Sequence, residues 1–244
     1  MKLKYGKEKI RLPIEDKNII KILNLKKQEV LLNPENSLKE LFKNPINSPS
    51  LRDLIIQKKA SKILIIVNDI TRPTPYEIIL PPLLDELRQI GIKKENIIFI
   101  IATGIHRSNS PEEIEEMFGK DIFFNYKFIN HDCDDPHLKD FGNLENGNKL
   151  WVDPIVSDTD FIITTGVIVP HYFAGFSGGR KSILPGICGR NTIEANHARM
   201  VHPDARAGNL RNNPVHQEMQ EAAEKVGVDF NINVVTDENH QIVE

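Results

Sequence analysis

From about residue 62 onward, short aliphatic runs alternate with helical patterns, and this alternation leaves few folds open to the chain. Residues 63–67 (ILIIV) form an unalternated, mostly β-branched run, which is typical of a strand buried on both faces of a parallel sheet. Residues 76–90 then carry apolar side chains at helical spacing, and residues 97–102 form a second aliphatic run. This order predicts an α/β protein with a doubly wound, mainly parallel sheet.

Other elements follow from periodicity and from turn residues. They are a β-hairpin over residues 2–14, helical pieces within 35–60, a helix from the N-cap Ser110 to Phe118, strands at 123–129 and 160–165, and helices near 190–200 and 214–227.

The end of the sequence predicts one more hairpin. Residues 230–235 have the pattern of a strand, residues 237–239 that of a turn, and residues 241–243 that of a return strand. The sequence stops inside this hairpin. We therefore expect an α/β domain over residues 1–228 and, over residues 229–244, the first hairpin of a truncated second domain that is mostly absent.

Composition favours a small-molecule partner. Lys and Arg total 31 against 34 Asp and Glu, so the net charge of −3 gives no electrostatic basis for binding nucleic acid or an anionic membrane. Cys133 and Cys188 are far apart and form no Cys-x-x-Cys pair, so neither a disulfide framework nor a cysteine zinc site is expected. The N-terminus lacks the apolar region of a secretory signal, and the expected location is cytoplasmic.

Polar or glycine-rich loops follow four of the predicted strands. They are residues 68–73, 103–107, 130–135 and 166–182. Ligands of open α/β sheets bind outside the carboxyl ends of the strands, so these four loops predict a functional site on one rim of the sheet.

Individual residues in these loops allow more than one interpretation. Arg72 offers a planar fork for a carboxylate or phosphate, although its Asp-Ile-Thr-Arg-Pro segment could be a simple strand-end turn. His106 could be a functional residue or an ordinary surface histidine. His131 and His137 lie among several aspartates and could bind a metal, but a solvated acidic turn is the favoured interpretation.

The segment from Gly175 to Ser182 is not a Walker A loop, because Arg180 replaces the second glycine and no strand directly precedes it. With Arg180 and Lys181 it could still hold one phosphate through backbone N–H groups, or Lys181 could act as a covalent nucleophile if burial lowers its pKa. His171 and His197 belong to separate elements and can converge near this segment, which suits proton transfer and metal binding near neutral pH.

Five motifs in order, within residues 60–220, resemble the nickel-dependent lactate racemase family. They are Asp69-Ile70-Thr71-Arg72-Pro73, Thr103-Gly104-Ile105-His106-Arg107, Pro170-His171-Tyr172-Phe173-Ala174-Gly175, Gly178-Gly179-Arg180-Lys181 and Asn196-His197-Ala198-Arg199. The resemblance implies a two-domain α/β enzyme with its site between the domains, in which residues 1–228 form the cofactor-binding catalytic domain. It also implies an isomerase that racemises or epimerises a 2-hydroxy acid, with lactate as the first candidate.

The resemblance further implies a cofactor and roles for individual residues. The cofactor is nickel held by pyridinium-3,5-bisthiocarboxylic acid mononucleotide, a nickel pincer nucleotide. His106 and His171 match the two proton donor-acceptors, and His197 matches the nickel ligand. Lys181 matches the lysine joined to the cofactor in some members. Asp69, Ile70, Thr71 and Arg72 match a cofactor-binding stretch, in which Arg72 is also placed to bind substrate.

The implied chemistry explains why two bases are needed. Hydride leaves the α-carbon for the pyridinium while one histidine takes the hydroxyl proton, and hydride return to the opposite face lets the other histidine give a proton. Two alternatives stay open. A nicotinamide-dependent 2-hydroxy acid dehydrogenase would use similar residues, but no Gly-x-Gly-x-x-Gly follows a predicted strand. A non-catalytic nucleotide- or metal-binding protein would not need two histidines beside a substrate.

Overall fold

The computed structural model describes residues 2–5, 8–22 and 28–244. In chain order the strands are β1 (Lys2–Tyr5), β2 (Glu8–Arg11), β3 (Ile63–Asn68), β4 (Ile97–Ala102), β5 (Lys127–Asn130), β6 (Lys139–Asn143), β7 (Lys149–Val152), β8 (Phe161–Val167), β9 (Pro170–His171), β10 (Gly175–Phe176) and β11 (Phe230–Val234). The α-helices are α1 (Pro34–Lys43), α2 (Leu51–Lys58), α3 (Tyr76–Ile90), α4 (Pro111–Phe118), α5 (Lys120–Asn125), α6 (Arg190–His197) and α7 (Pro214–Val226).

A five-stranded sheet of order β11-β8-β3-β4-β5 forms the centre, and all of its neighbouring strands are parallel. Alternate residues of β3 face two different cores. Ile63, Ile65 and Val67 pack with side chains of α1 to α4, whereas Leu64 and Ile66 pack with side chains of α6 and α7. The doubly wound α/β fold expected from the sequence is therefore confirmed.

Two helix ends show how local sequence sets these elements. The hydroxyl of Ser110 accepts the N–H of Glu113 at 3.3 Å, and the Glu113 carboxylate accepts the N–H of Ser110 at 2.9 Å, so α4 begins with a capping box. Helix α3 ends at Gly91, whose φ of 106° is a left-handed conformation that suits glycine.

The strand order creates a topological switch point. The chain passes from β3 through β4 to β5 on one side, and then returns to place β8 and β11 on the other side of β3. Adjacent loops after β3 and β8 therefore leave in opposite directions, which opens a crevice at the carboxyl ends of these strands. This crevice lies where the sequence analysis expected a functional rim.

The prediction of a strand over residues 123–129 is wrong in its first half. Residues up to Asn125 belong to helix α5, and only Lys127–Asn130 forms strand β5. Ile122 and Phe123 pack against the core while Phe124 is exposed, as one face of a short helix requires. A brief apolar run cannot by itself distinguish a helix from a strand, and here the tertiary contacts decide.

The hairpin expected over residues 229–244 is not separate from the main sheet. Strand β11 pairs in parallel with β8, from Phe230 opposite Ile163 to Val234 opposite Val167, so it completes the main sheet. The return segment forms an isolated bridge between Thr236 and Ile242. Parallel pairing to a distant strand leaves no local signal, which is why the sequence suggested a separate hairpin. That a second domain follows stays a prediction.

Smaller antiparallel pairs lie outside the main sheet. The predicted N-terminal hairpin is present as β1 paired with β2, although its turn residues Gly6 and Lys7 lie outside the described residues. The pair β6–β7 was not predicted from the sequence. Among the described residues, no helix is both long and apolar enough to cross a membrane.

Candidate active site

The loops that follow β3, β4 and β8 meet at the switch point. The N–H of Gly104, after β4, donates to the carbonyl of Gly186 at 2.9 Å. The hydroxyl of Ser182, in a 3-10 helix over Gly179–Ser182, donates to the carbonyl of Thr165 on β8 at 3.3 Å. These links bring the segments that carry the predicted site residues to one edge of the sheet.

Asp69 and His106 form a hydrogen-bonded pair across two of these loops. Asp69 is only 3% exposed, and its Oδ1 accepts the N–H and the hydroxyl of Thr71 at 3.0 and 2.6 Å. Its Oδ2 lies 2.6 Å from Nδ1 of His106. The buried carboxylate therefore fixes the His106 ring, whose side chain is 45% exposed and faces the open edge.

The turn after β3 presents three more predicted site residues. Ile70, Thr71 and Arg72 are all exposed. The backbone N–H of Arg72 donates to the carbonyl of Asp69 at 3.0 Å, which closes the turn, and its guanidinium donates to the Thr71 hydroxyl at 3.3 Å. Arg72 is near enough to His171 and Lys181 to lower the pKa of both side chains.

His171 lies in the two-stranded hairpin β9–β10. Its Nδ1 accepts the backbone N–H of Ala174 at 3.2 Å, and its ring stacks on Tyr172 with centroids 5.0 Å apart. Burial, and then the positive charges of Lys181 and Arg72, lower the pKa of His171 to about 4. The ring is therefore neutral at physiological pH.

Lys181 lies in the 3-10 helix that follows this hairpin. Burial, and then the charges of Arg180 and Arg72, lower the pKa of its amine to about 7. A large share of the Lys181 side chains is then uncharged near neutral pH, which makes this amine a competent nucleophile.

The neighbouring Arg180 does not serve as a free phosphate-binding group. Its guanidinium donates to the carbonyls of Ala174, Phe176 and Ser177 at 3.0, 2.9 and 3.2 Å. Arg180 thus ties the hairpin that carries His171 to the helix that carries Lys181. The Arg180 guanidinium is therefore engaged within the protein and not free for a phosphate.

His197 is the last residue of α6. Burial, and then the charge of Lys181, lower its pKa, which favours the neutral imidazole that binds metals. Its Nδ1 is buried, and among the described residues no partner meets full hydrogen-bond geometry with it, although the backbone of Ile193 one turn earlier is close enough to raise the pKa of His197. The end of α6 is anchored by Glu218, a buried residue of α7 whose carboxylate accepts Nδ2 of Asn196 at 2.8 Å and lies 3.3 Å from Nε of Arg199.

Phe173 is the side chain around which three predicted site residues gather. Its ring contacts the rings of His171 and His197 edge to face, with centroids 4.6 and 5.0 Å apart, and the Lys181 amine lies 5.8 Å from its centroid. Phe173 is 3% exposed, and Nδ2 of Asn213 donates to its carbonyl at 2.8 Å. No role was predicted for Phe173, although the aromatic pair Tyr172-Phe173 directly after His171 was a usable signal.

His131, in the loop after β5, is not free to bind a metal. His131 is 1% exposed, and its ring nitrogens lie 2.9 Å from the Asp153 carboxylate and 3.0 Å from the carbonyl of Cys188. Asp134 pairs with Arg190 at 2.6 Å. His131 is therefore a buried structural residue and not part of the solvated turn expected from the sequence, whereas Asp132, Asp134 and His137 are exposed. Ligand atoms of Asp132, Cys133 and Asp134 lie within 4.8 Å of one another. None of the gathered histidines lines the open cavity of about 330 Å³ beside this segment.

Known proteins resemble this chain over nearly its whole length. The family described as lactate racemase N-terminal domain matches residues 5–208. Lactate racemase of Thermoanaerobacterium thermosaccharolyticum is 41% identical, over 100% of this chain and 58% of its own length. Lactate racemase of Lactiplantibacillus plantarum is 37% identical, over 99% of this chain and 57% of its own length. The chain thus spans somewhat more than half the length of these relatives.

Solved structures agree with the sequence relatives. The lactate racemase apoprotein from Thermoanaerobacterium thermosaccharolyticum superposes with a TM-score of 0.84 at 40% identity, covering 100% of this chain and 57% of that one. A protein from Thermotoga maritima superposes with a TM-score of 0.69 at 25% identity, covering 86% of this chain and 54% of that one. By the family match, by identity and by fold, the chain belongs to the lactate racemase family and corresponds to its N-terminal domain.

Proposed function

We propose that this chain supplies the cofactor-binding and proton-transferring part of a 2-hydroxy acid racemase, with lactate as the first candidate substrate. The observation that carries the proposal is the gathering of His171, Lys181 and His197 around Phe173, next to the Asp69–His106 pair on the same edge of the sheet. Membership of the lactate racemase family supports the same activity.

The residues present fit a nickel pincer nucleotide. His197 offers a neutral imidazole, a ligand type that suits nickel, and its buried Nδ1 has no hydrogen bond of full geometry within the described residues. Lys181 offers a partly deprotonated amine for attachment to a carbonyl group of the nucleotide. When bound, such a cofactor accepts a hydride from the substrate α-carbon and returns it.

Proton transfer is then the task of two histidines. We assign to His106 and His171 the removal and return of the substrate hydroxyl proton, one for each enantiomer. The exposed Arg72 guanidinium is placed to bind the substrate carboxylate through paired hydrogen bonds. Its position near both His171 and Lys181 would hold the reacting carbon close to both groups.

The direct test is a racemisation assay on the natural protein that carries this sequence, loaded with the cofactor. Pure L-lactate and pure D-lactate should each convert to a mixture, measured by chiral chromatography. Loss of a well-placed base costs on the order of 10²–10⁴-fold in rate, so His106→Ala and His171→Ala should each block conversion in both directions. Lactate oxidation that depends on added NAD would instead support a dehydrogenase.

A metal measurement tests the site without activity. His197→Ala should lose nickel from the purified, loaded protein, because the pincer arms fill only part of the coordination sphere. His202→Ala, at an exposed histidine five residues further along the chain, serves as the matched control and should keep its nickel. Equal nickel content in all three proteins would show that His197 is not a ligand.

A further inference from the structure

The two histidines proposed for proton transfer are held by partners of opposite kind. Nδ1 of His106 faces a carboxylate oxygen of Asp69 at 2.6 Å, whereas Nδ1 of His171 faces the backbone N–H of Ala174 at 3.2 Å. A neutral imidazole carries one proton, so the partner of one nitrogen determines what the other nitrogen can do.

Asp69 acts as a hydrogen-bond acceptor in this arrangement. Its Oδ1 already receives two hydrogen bonds from Thr71, one from the N–H and one from the hydroxyl. The remaining oxygen, Oδ2, then accepts a hydrogen bond from the N–H at Nδ1 of His106. The neutral His106 ring therefore has its lone pair on Nε2, which is the nitrogen of a ready base.

Ala174 imposes the reverse state on His171. A backbone N–H can only donate, so Nδ1 of His171 must keep its lone pair, and the single proton of the neutral ring resides on Nε2. The lowered pKa of about 4 agrees with a neutral ring at pH 7. Before Nε2 of His171 can accept a proton, the ring must change tautomer and break its bond with Ala174.

We propose that His106 and His171 rest in opposite tautomers, so that the site is ready to take the hydroxyl proton from one enantiomer only, the one that faces His106. In that step the substrate O–H bond breaks and an N–H bond forms at Nε2 of His106. Asp69 is then a positioning residue that acts through His106. The inference rests on the proposed function for its consequence, but the tautomers themselves do not depend on it.

Nitrogen-15 NMR of the chain labelled at histidine reads the tautomers directly, without cofactor and near pH 7.5. We expect an unprotonated Nε2 for His106 and an unprotonated Nδ1 for His171, with signals assigned by single His→Gln variants. Finding both rings in the same tautomer would overturn the proposal.

Asp69→Asn sharpens the test. The two Thr71 donors hold the amide oxygen in the place of Oδ1, which turns the amide NH₂ toward His106. Nδ1 of His106 must then accept, and its proton must move to Nε2, while His171 stays unchanged. The matched control is Asp153→Asn, which alters the other buried Asp–His pair and should leave His106 as it was. An unchanged His106 tautomer in Asp69→Asn would contradict the assignment.

The functional consequence is measured separately on the loaded natural protein. Since enantiomers have equal free energy, kcat/KM must be the same in both directions, and the preference shows only in the first turnover at saturating substrate. One enantiomer should react roughly threefold to tenfold faster, the cost of one hydrogen bond. Asp69→Asn should remove that preference, and it should slow the first turnover of the enantiomer that was faster on the order of 10²–10⁴-fold. Equal first turnovers in the unaltered protein would refute the preference, whereas no racemisation at all would refute the proposed function and leave the NMR result standing.

Discussion

The surroundings of Phe173 show how burial beside one apolar side chain can lower the pKa of several basic side chains. The Phe173 ring contacts His171 and His197 and lies 5.8 Å from the Lys181 amine, and burial is the largest cause of the lowered pKa of each of the three. Three basic groups that would all carry charge in mildly acidic water therefore share a small space with little mutual repulsion near neutral pH.

The lowered pKa of His171 predicts a pH-dependent stability. Its folded-state pKa is about 4, below the usual 6.5, so between these values the unfolded chain binds a proton that the folded chain does not. The free energy of unfolding should therefore rise with pH from 4 to 6.5. Urea denaturation at several pH values measures it, and His171→Gln should show a flatter dependence over that interval. An equally steep rise in the variant would place the titrating group elsewhere.

The amine of Lys181 should react unusually fast near neutral pH. Its pKa of about 7 leaves much of it uncharged, so a small acylating reagent should label Lys181 ahead of other lysines, as peptide mass spectrometry would show. Arg72→Gln removes a positive charge that lowers this pKa, so the midpoint of labelling should move to higher pH. A midpoint that does not move would mean that Arg72 exerts no field on Lys181.

Sequence alone predicted which polar residues crowd the sheet edge, because His106, His171 and Lys181 follow strand ends. It did not predict their partners. Asp69 and His106 are 37 positions apart and meet only when the loops after β3 and β4 lie side by side. The loop with Arg180 was predicted as a possible phosphate site, yet the Arg180 guanidinium donates to three carbonyls. These carbonyls are placed by a hairpin whose two-residue strands are too short to give a periodic sequence pattern.

The hairpin β9–β10 depends on a glycine that has no room for a side chain. Gly175 has a φ of 79°, and a Cβ there would collide with the carbonyl of Asn209. Since Gly175 pairs with His171, any shift of the hairpin also moves a proposed catalytic base. The packing of Gly175 against the loop that contains Asn209 therefore helps to fix the position of His171.

A pair of glycine substitutions separates crowding from backbone strain. Gly175→Ala adds a collision to an unfavourable φ and should destabilise the fold by about 2–4 kcal/mol. Gly227→Ala has a similar φ of 84° with no atom within 4 Å of the added Cβ, so it should cost only about 1 kcal/mol. Denaturant unfolding compares them. Equal losses of unfolding free energy in the two variants would mean that the loop containing Asn209 moves aside without destabilising the fold.

Helices and strands differ in how far the sequence determined them. The capping box at Ser110 and the glycine after Ile90 are local signals, and α4 begins and α3 ends where these signals lie. The boundary between α5 and β5 has no such signal, because Phe123 and Phe124 suit either structure, and the sheet partner of the following residues decides.

The whole molecule is a sheet covered on both faces, with its candidate site at the switch point between β3 and β8. That architecture was predictable from the aliphatic runs. The position of β11 was not, because it pairs with a strand whose residues lie 67 positions earlier, as in Phe230 opposite Ile163. A second domain, the cytoplasmic location and the identity of the substrate stay predictions.

Strand β11 completes the packing around the Lys181 segment, so this part of the site should form later than the centre of the sheet. Its Asn231 accepts the hydroxyl of Thr164 at 2.9 Å and packs directly against Gly179, at the start of the segment that holds Lys181. On a ribosome, β3 and β4 can pair long before β11 has been synthesised, whereas the Lys181 segment, which also packs against β8 and α7, lacks its contact with Asn231 until β11 has been added. A nascent chain stalled before residue 229 should therefore resist protease at β3 while being cleaved more readily near Lys181, and the pKa of the Lys181 amine should reach its lowered value only after β11 has been added.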